Sequence, residues 1–104
     1  MAFELDMMEK TPQILFDLNE GNFSFTGVLM PEDAFGFFDP LFGYIKVYFK
    51  NPKPETKLEV SLEYFNTSSS RFLYRFMKEF ADNQSDKTNI TIIWKRNISF
   101  IFSL

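Results

Sequence analysis

A strictly alternating segment near the middle of the chain constrains the fold most. Between residues 57 and 65, polar residues alternate with the apolar residues Leu58, Val60, Leu62 and Tyr64. A period of two is the pattern of a strand with one covered face and one wet face. Such a strand does not fit a parallel sheet that helices cover on both sides. The segment therefore predicts a sheet with helices mainly on one face.

The segments before this strand predict a hairpin followed by a helix. Residues 13–17 and 22–28 alternate in the same way and are separated by turn-forming residues, which is typical of a β-hairpin. Pro31 and two acidic residues then open an apolar segment that reaches about Lys50. Proline and acidic residues are favoured in the first turn of a helix, so we expect a helix there.

The segments after the strand predict a second helix and a parallel strand. Apolar residues at helical spacing indicate a helix from about Ser68 or Ser69 to Asp82, and residues 88–94 alternate as a strand. A strand–helix–strand connection of this length joins parallel strands. We therefore predict one α/β domain over 1–104, with a mixed sheet of four or five strands. Its order is β-β-α-β-α-β, with an optional last strand at 98–104, after a polar lead at 1–10.

Two missing residue types exclude most small-enzyme chemistry. The chain has no Cys and no His, so thiolate nucleophiles, imidazole bases and Cys- or His-ligated metals are excluded. A net charge of −3 without a dense basic run argues against binding to nucleic acid or an anionic membrane. No apolar run is long enough to span a bilayer. We predict a cytoplasmic protein that is not an enzyme and that has no metal or cofactor.

Aromatic residues exceed what one small core obviously needs. The chain has 15 Phe, and the first predicted helix carries two neighbouring apolar stripes. One stripe is enough to cover a sheet, so we expect the other, with Phe35, Phe42 and Phe49, to be partly exposed or to meet a partner. A single broad buried stripe is the alternative.

A run of hydroxyl residues lies where the alternating strand meets the second helix. Thr67, Ser68, Ser69 and Ser70 occupy the amino end of that helix. A hydroxyl there caps the helix. A phosphate on Thr67 or Ser68 would also be favoured by the helix dipole, and Arg71 follows one turn later. Both interpretations fit the pattern.

Several segments together resemble one protein family. The run Leu62-Glu63-Tyr64-Phe65-Asn66-Thr67-Ser68-Ser69, with Thr11-Pro12, Pro31-Glu32, Phe38-Asp39-Pro40-Leu41 and Trp94, resembles the SiaC family of bacterial biofilm-regulating phosphoproteins, whose fold is STAS-like. The resemblance implies a non-enzymatic switch in c-di-GMP signalling. In it, a Ser/Thr kinase and a PP2C-type phosphatase act on the protein, and the unmodified form binds and activates a diguanylate cyclase.

The resemblance also implies which residues form the site. The family's phosphoacceptor corresponds to Thr67, with Ser68 and Ser69 as alternatives, and Asn66 and Arg71 complete its surroundings. After Trp94 the chain departs from the family, because 95–104 lacks the acidic stretch and helix that members usually have. The competing hypothesis is a small ligand-binding or oligomeric interaction domain, for instance a homodimer, in which the hydroxyl run is only a helix cap.

Overall fold

The computed structural model describes residues 2–96, and this part of the chain forms one five-stranded sheet and two helices. The elements are β1 (Ala2–Leu5), β2 (Gln13–Asp17), β3 (Asn22–Leu29), α1 (Ala34–Phe49), β4 (Glu55–Phe65), α2 (Thr67–Asp82) and β5 (Asn89–Arg96). The strands lie side by side in chain order; β1, β2 and β3 pair antiparallel, and β3, β4 and β5 pair parallel. The predicted α/β class and mixed sheet are confirmed, whereas the predicted strand at 98–104 lies outside the described residues.

Both helices pack on the same face of the sheet, as predicted. The ring of Phe23 on β3 lies 4.9 Å from Tyr48 of α1 and 5.1 Å from Phe80 of α2, between ring centroids. The buried side chains of the sheet and of both helices form one cluster. The opposite face is polar and includes an ion pair between Lys95 and Glu59 at 3.1 Å. This wet face explains the alternation seen in β4.

The apolar surface of α1 is used differently from the two predicted stripes. Its buried residues come from both stripes, namely Ala34, Phe38, Leu41, Ile45 and Tyr48. The buried face of α1 therefore lies between the two stripes. One side of this face meets the sheet, and α2 packs against the other side. The helix begins at Ala34 rather than near Pro31, since the Asp33 carboxylate accepts a hydrogen bond from the Gly36 amide at 3.0 Å and caps it there.

The prediction of a polar lead at 1–10 was wrong, because Ala2–Leu5 forms an edge strand. This β1 pairs antiparallel with β2, and Phe3 lies opposite Phe16. The Phe3 ring also packs against Tyr44 of α1, with 4.4 Å between centroids. Phe3 and Leu5 alternate with Glu4, so the strand pattern was present but short. Contacts with distant residues stabilise it.

The prediction that Tyr64 shares the buried face of β4 was also wrong. Leu62 pairs with Gly27, but Val28 pairs with Tyr64, so Glu63 is an extra residue in β4. Such a bulge shifts the alternation by one residue. Tyr64 is consequently 53% exposed on the wet side of the sheet, and Phe65 turns towards the core instead.

A buried chain of hydroxyl groups links α1, β4 and the residue that precedes β5. The Tyr48 hydroxyl shares a hydrogen bond with Thr56 Oγ1, and Thr56 Oγ1 shares one with Thr88 Oγ1, each 2.6 Å long. The Tyr48 hydroxyl also accepts from the Lys53 amide at 3.0 Å. All three hydroxyl-bearing residues are almost fully buried, so these bonds satisfy groups that have little access to water.

Candidate functional site

The site is built where β4 ends and α2 begins. The Asn66 amide donates to the Leu29 carbonyl at 3.1 Å, which fixes the chain beside the end of β3. The Asn66 backbone is extended, and its side-chain oxygen accepts from the Ser69 amide at 3.0 Å. Asn66 is therefore the N-cap, and α2 begins at Thr67, slightly before the predicted start.

The four hydroxyl residues of this helix start have different surroundings. Thr67 and Ser68 are exposed, whereas Ser69 is fully buried, and its hydroxyl has no hydrogen-bond partner among residues 2–96. The Ser70 hydroxyl donates to the Thr67 carbonyl at 2.7 Å. Because Asn66 supplies the cap, neither exposed hydroxyl is needed for it. Thr67 and Ser68 are thus the two exposed residues of this run, whereas Ser70 is half-buried.

First-turn amides and one arginine lie beside the exposed hydroxyls. The amides of Thr67 and Ser68 belong to the first turn, where backbone N–H groups have no intrahelical acceptor. Arg71 is exposed and follows Thr67 by one turn, on the same side of the helix. Within residues 2–96, no carboxylate lies within ion-pair distance of Arg71. The helix dipole, the first amides and this guanidinium all favour an anion at Thr67.

One of the three predicted interface rings lies at the edge of the sheet where this site is built. Phe35, in the first turn of α1, is 62% exposed, and its ring centroid lies 6.3 Å from that of Phe72 in α2. Phe42 and Phe49 are half-buried instead and pack on core rings of α2. Because β3 and β4 are parallel, α1 and α2 begin at the same edge of the sheet, and Phe35 and Thr67 lie in the first turns of these helices.

Two exposed aromatic residues were not predicted as site residues from the sequence, although Trp94 is one of the residues that carry the family resemblance. Tyr74 is 65% exposed, and Trp94 is 39% exposed and packs edge-on against Phe65 at 5.8 Å. The helical period of α2 places Tyr74 opposite the buried residues Leu73, Phe76 and Phe80, so the sequence did contain that signal. Trp94 shares its strand face with core residues, and only the edge position of β5 exposes it.

The described residues offer little for metal chemistry. Among residues 2–96, no group of three or more Asp or Glu side chains is placed to hold a metal ion. A search of the same residues finds no helix that is long and apolar enough to cross a membrane.

A shallow cavity of about 380 Å³ lies on the wet face of the sheet, between Leu15, Ser24 and Lys57. It is remote from Thr67, since it lies at the amino end of β4.

Comparison with solved structures places the fold among known ones. Apo-SiaC from Pseudomonas aeruginosa matches with a TM-score of 0.82 and 19% identity, over 90% of this chain and 78% of that chain. A second structure of SiaC from the same organism matches equally well. The crystal structure of the diguanylate cyclase SiaD in complex with its activator SiaC, also from Pseudomonas aeruginosa, matches with a TM-score of 0.64 and 16% identity, over 91% of this chain and 99% of that chain. At these identities the matches establish the fold.

Comparison at the level of sequence establishes the family. No curated protein matches the chain significantly. The model of the SiaC family of regulatory phosphoproteins matches residues 5–98, which is most of the chain and includes the whole site around Thr67. The resemblance inferred from the sequence is thereby confirmed, and the chain belongs to the SiaC family of regulatory phosphoproteins.

Proposed function

We propose that the protein is a non-enzymatic switch in which phosphorylation of Thr67 controls the binding of a partner protein. The observation that carries the proposal is the exposed Thr67 hydroxyl at a helix start that Asn66 already caps. A kinase would transfer the γ-phosphoryl group of ATP to Thr67 Oγ1 and release ADP and a proton. A PP2C-type phosphatase would hydrolyse the phosphate ester and restore the hydroxyl.

The partner proposed for the unmodified form is a diguanylate cyclase, which the protein would bind and activate in the cytoplasm. Membership of a regulatory phosphoprotein family supports a switch, and a protein of the same fold has been crystallised as the activator of a diguanylate cyclase. Phosphate adds roughly two negative charges. At Thr67 this charge would lie on an exposed surface, so modification would change what the surface binds and leave the core intact.

Mass spectrometry after incubation with the cognate kinase and ATP tests the acceptor. We expect one phosphate on the wild-type chain, mapped to Thr67, and none on Thr67→Val. Ser68→Ala is the matched control, because it removes the neighbouring exposed hydroxyl and should leave the modification unchanged. Phosphate on Ser68 or elsewhere in Thr67→Val would overturn the assignment.

A second experiment tests the partner. The affinity of the cognate diguanylate cyclase for the chain and its rate of c-di-GMP synthesis are measured before and after phosphorylation. We expect the unmodified chain to bind the enzyme and raise the rate, and the phosphorylated chain to do neither. Equal binding by both forms would separate phosphorylation from partner control.

A further inference from the structure

The exposed side of α2 carries a basic and aromatic surface. Its members recur every three or four residues and lie opposite the buried side chains of the helix; we call them the outer face of α2, and they are Thr67, Arg71, Tyr74, Arg75 and Lys78. All are exposed. The spacing places Thr67 directly beside Arg71, because residues four apart are neighbours on a helix surface.

Two arginines give the outer face of α2 its uncompensated charge. Lys78 is paired with Asp82, with Nζ and Oδ2 2.9 Å apart, and this hydrogen bond and the Asp82 charge raise the pKa of Lys78. In the described part of the chain, neither Arg71 nor Arg75 has a carboxylate within ion-pair distance. The chain as a whole has a net charge of −3, so this positive surface is a local exception.

Aromatic rings lie on this surface and beside it. Tyr74 is 65% exposed, and the Arg75 guanidinium lies 5.7 Å from the centre of the Phe72 ring. Phe72 in turn contacts Phe35, which is 62% exposed. Arginine and aromatic residues are the types that dominate binding energy at protein interfaces. Arg75, Phe72 and Phe35 thus form a chain of contacts from α2 to α1, and Tyr74 adds an exposed ring elsewhere on the outer face of α2.

We propose that the outer face of α2 docks an acidic surface of the partner, and that Arg71 binds either a partner carboxylate or a phosphate on Thr67. The inference rests on the proposed function, and it specifies where the cyclase binds and how phosphate releases it. Carboxylates and phosphate both accept the forked hydrogen bonds of a guanidinium. A phosphate one turn away engages Arg71 intramolecularly and also repels the incoming carboxylate. Release then needs no change of fold.

Affinity measurements on two variants and one control test the docking surface. Arg71→Gln and Arg75→Gln remove the charges, and Lys57→Gln removes an exposed charge from the wet face of the sheet. We expect each Arg variant to weaken binding of the unmodified chain to the cyclase about tenfold. Lys57→Gln should bind as the wild type does. Rising salt concentration should weaken wild-type binding more than Arg71→Gln binding. Circular dichroism confirms that each variant is folded.

A separate measurement tests whether the partner carboxylate and the Thr67 phosphate compete for Arg71. Phosphorylation should reduce the affinity of Arg71→Gln by a smaller factor than it reduces the wild-type affinity. Unchanged binding by both Arg variants, with phosphorylation still abolishing binding, would overturn the docking surface and leave the Thr67 switch intact. If the unmodified wild-type chain does not bind the cyclase at all, the proposed function fails, and this inference fails with it.

Discussion

Replacing Asn66 with Ala tests whether this residue determines where α2 begins. The substitution removes the side-chain oxygen that accepts from the Ser69 amide at 3.0 Å. It leaves the backbone bonds of Asn66, because its amide still donates to Leu29 and its carbonyl still accepts from Ser69 and Ser70 at 3.1 Å. Only the capping interaction of the side chain is therefore lost.

The structure narrows the expected size of this effect. Replacing an Asn cap with Ala typically destabilises a protein by about 0.5–2 kcal/mol. The Ser69 amide retains the Asn66 carbonyl as a second acceptor, so the loss falls in the lower half of that range, at about 0.5–1 kcal/mol. Such a loss lowers the melting temperature of a domain of this size by roughly 2–8 °C.

Asn66→Asp is the matched control for this change. It retains the acceptor and places a negative charge at the positive end of the helix dipole, so its stability should equal or exceed that of the wild type. Urea unfolding followed by circular dichroism gives the free energy of unfolding, and hydrogen exchange should be faster at the Ser69 and Ser70 amides in the Ala variant. A loss in Asn66→Asp as large as in Asn66→Ala would refute the role of the side-chain acceptor.

Two further substitutions test features of the core and of a turn by the same unfolding assay. Thr56→Val breaks the buried hydroxyl chain and leaves the Thr88 hydroxyl unpaired, so we expect a loss of about 2–3 kcal/mol; Thr91→Val, an exposed control on β5, should change stability by less than about 0.5 kcal/mol. Gly21→Ala should destabilise the chain by more than about 1 kcal/mol, because φ is +71° and a Cβ would lie 2.6 and 2.7 Å from a side-chain and a backbone oxygen. Gly43→Ala, where a Cβ meets nothing within 4 Å, should instead stabilise the helix by about 0.5–1 kcal/mol. Equal effects of the two glycine changes would contradict the geometry at Gly21.

The alternating pattern predicted the strands well up to the point where one extra residue enters the sheet. Leu58, Val60 and Leu62 are buried as expected, because a period of two assigns faces directly. Tyr64 was placed on the wrong face because the bulge at Glu63 depends on pairing with β3. Gly27, opposite the bulge with φ +123°, marks the irregularity, but a glycine in a strand does not reveal which partner residue is extra.

Interactions between distant residues were beyond prediction from local patterns. Tyr48 lies on α1, Thr56 on β4 and Thr88 just before β5, and only the folded chain brings their hydroxyls together. The exact N-cap of α2 was also not predictable from the sequence. The hydroxyl run predicted a cap, but Asn, Ser and Thr are similarly good caps, so the sequence alone did not select Asn66. The bond from the Asn66 amide to the end of β3 selects it.

Most phenylalanine rings of the described residues pack in the core, and the largely exposed one lies at the edge of the sheet where both helices begin. Phe76 contacts rings from β2, β3 and α1, so one phenylalanine of α2 joins both layers of the core. Ring-to-ring packing of this kind uses most of the aromatic surplus, and among residues 2–96 Phe35 is the one phenylalanine that remains largely exposed. Because β3 and β4 are parallel, Phe35 and Thr67 lie in the first turns of helices that begin at the same edge. Charge added at Thr67 therefore lies at the same edge of the sheet as an exposed ring, whereas the buried rings of α2 lie on the opposite side of that helix.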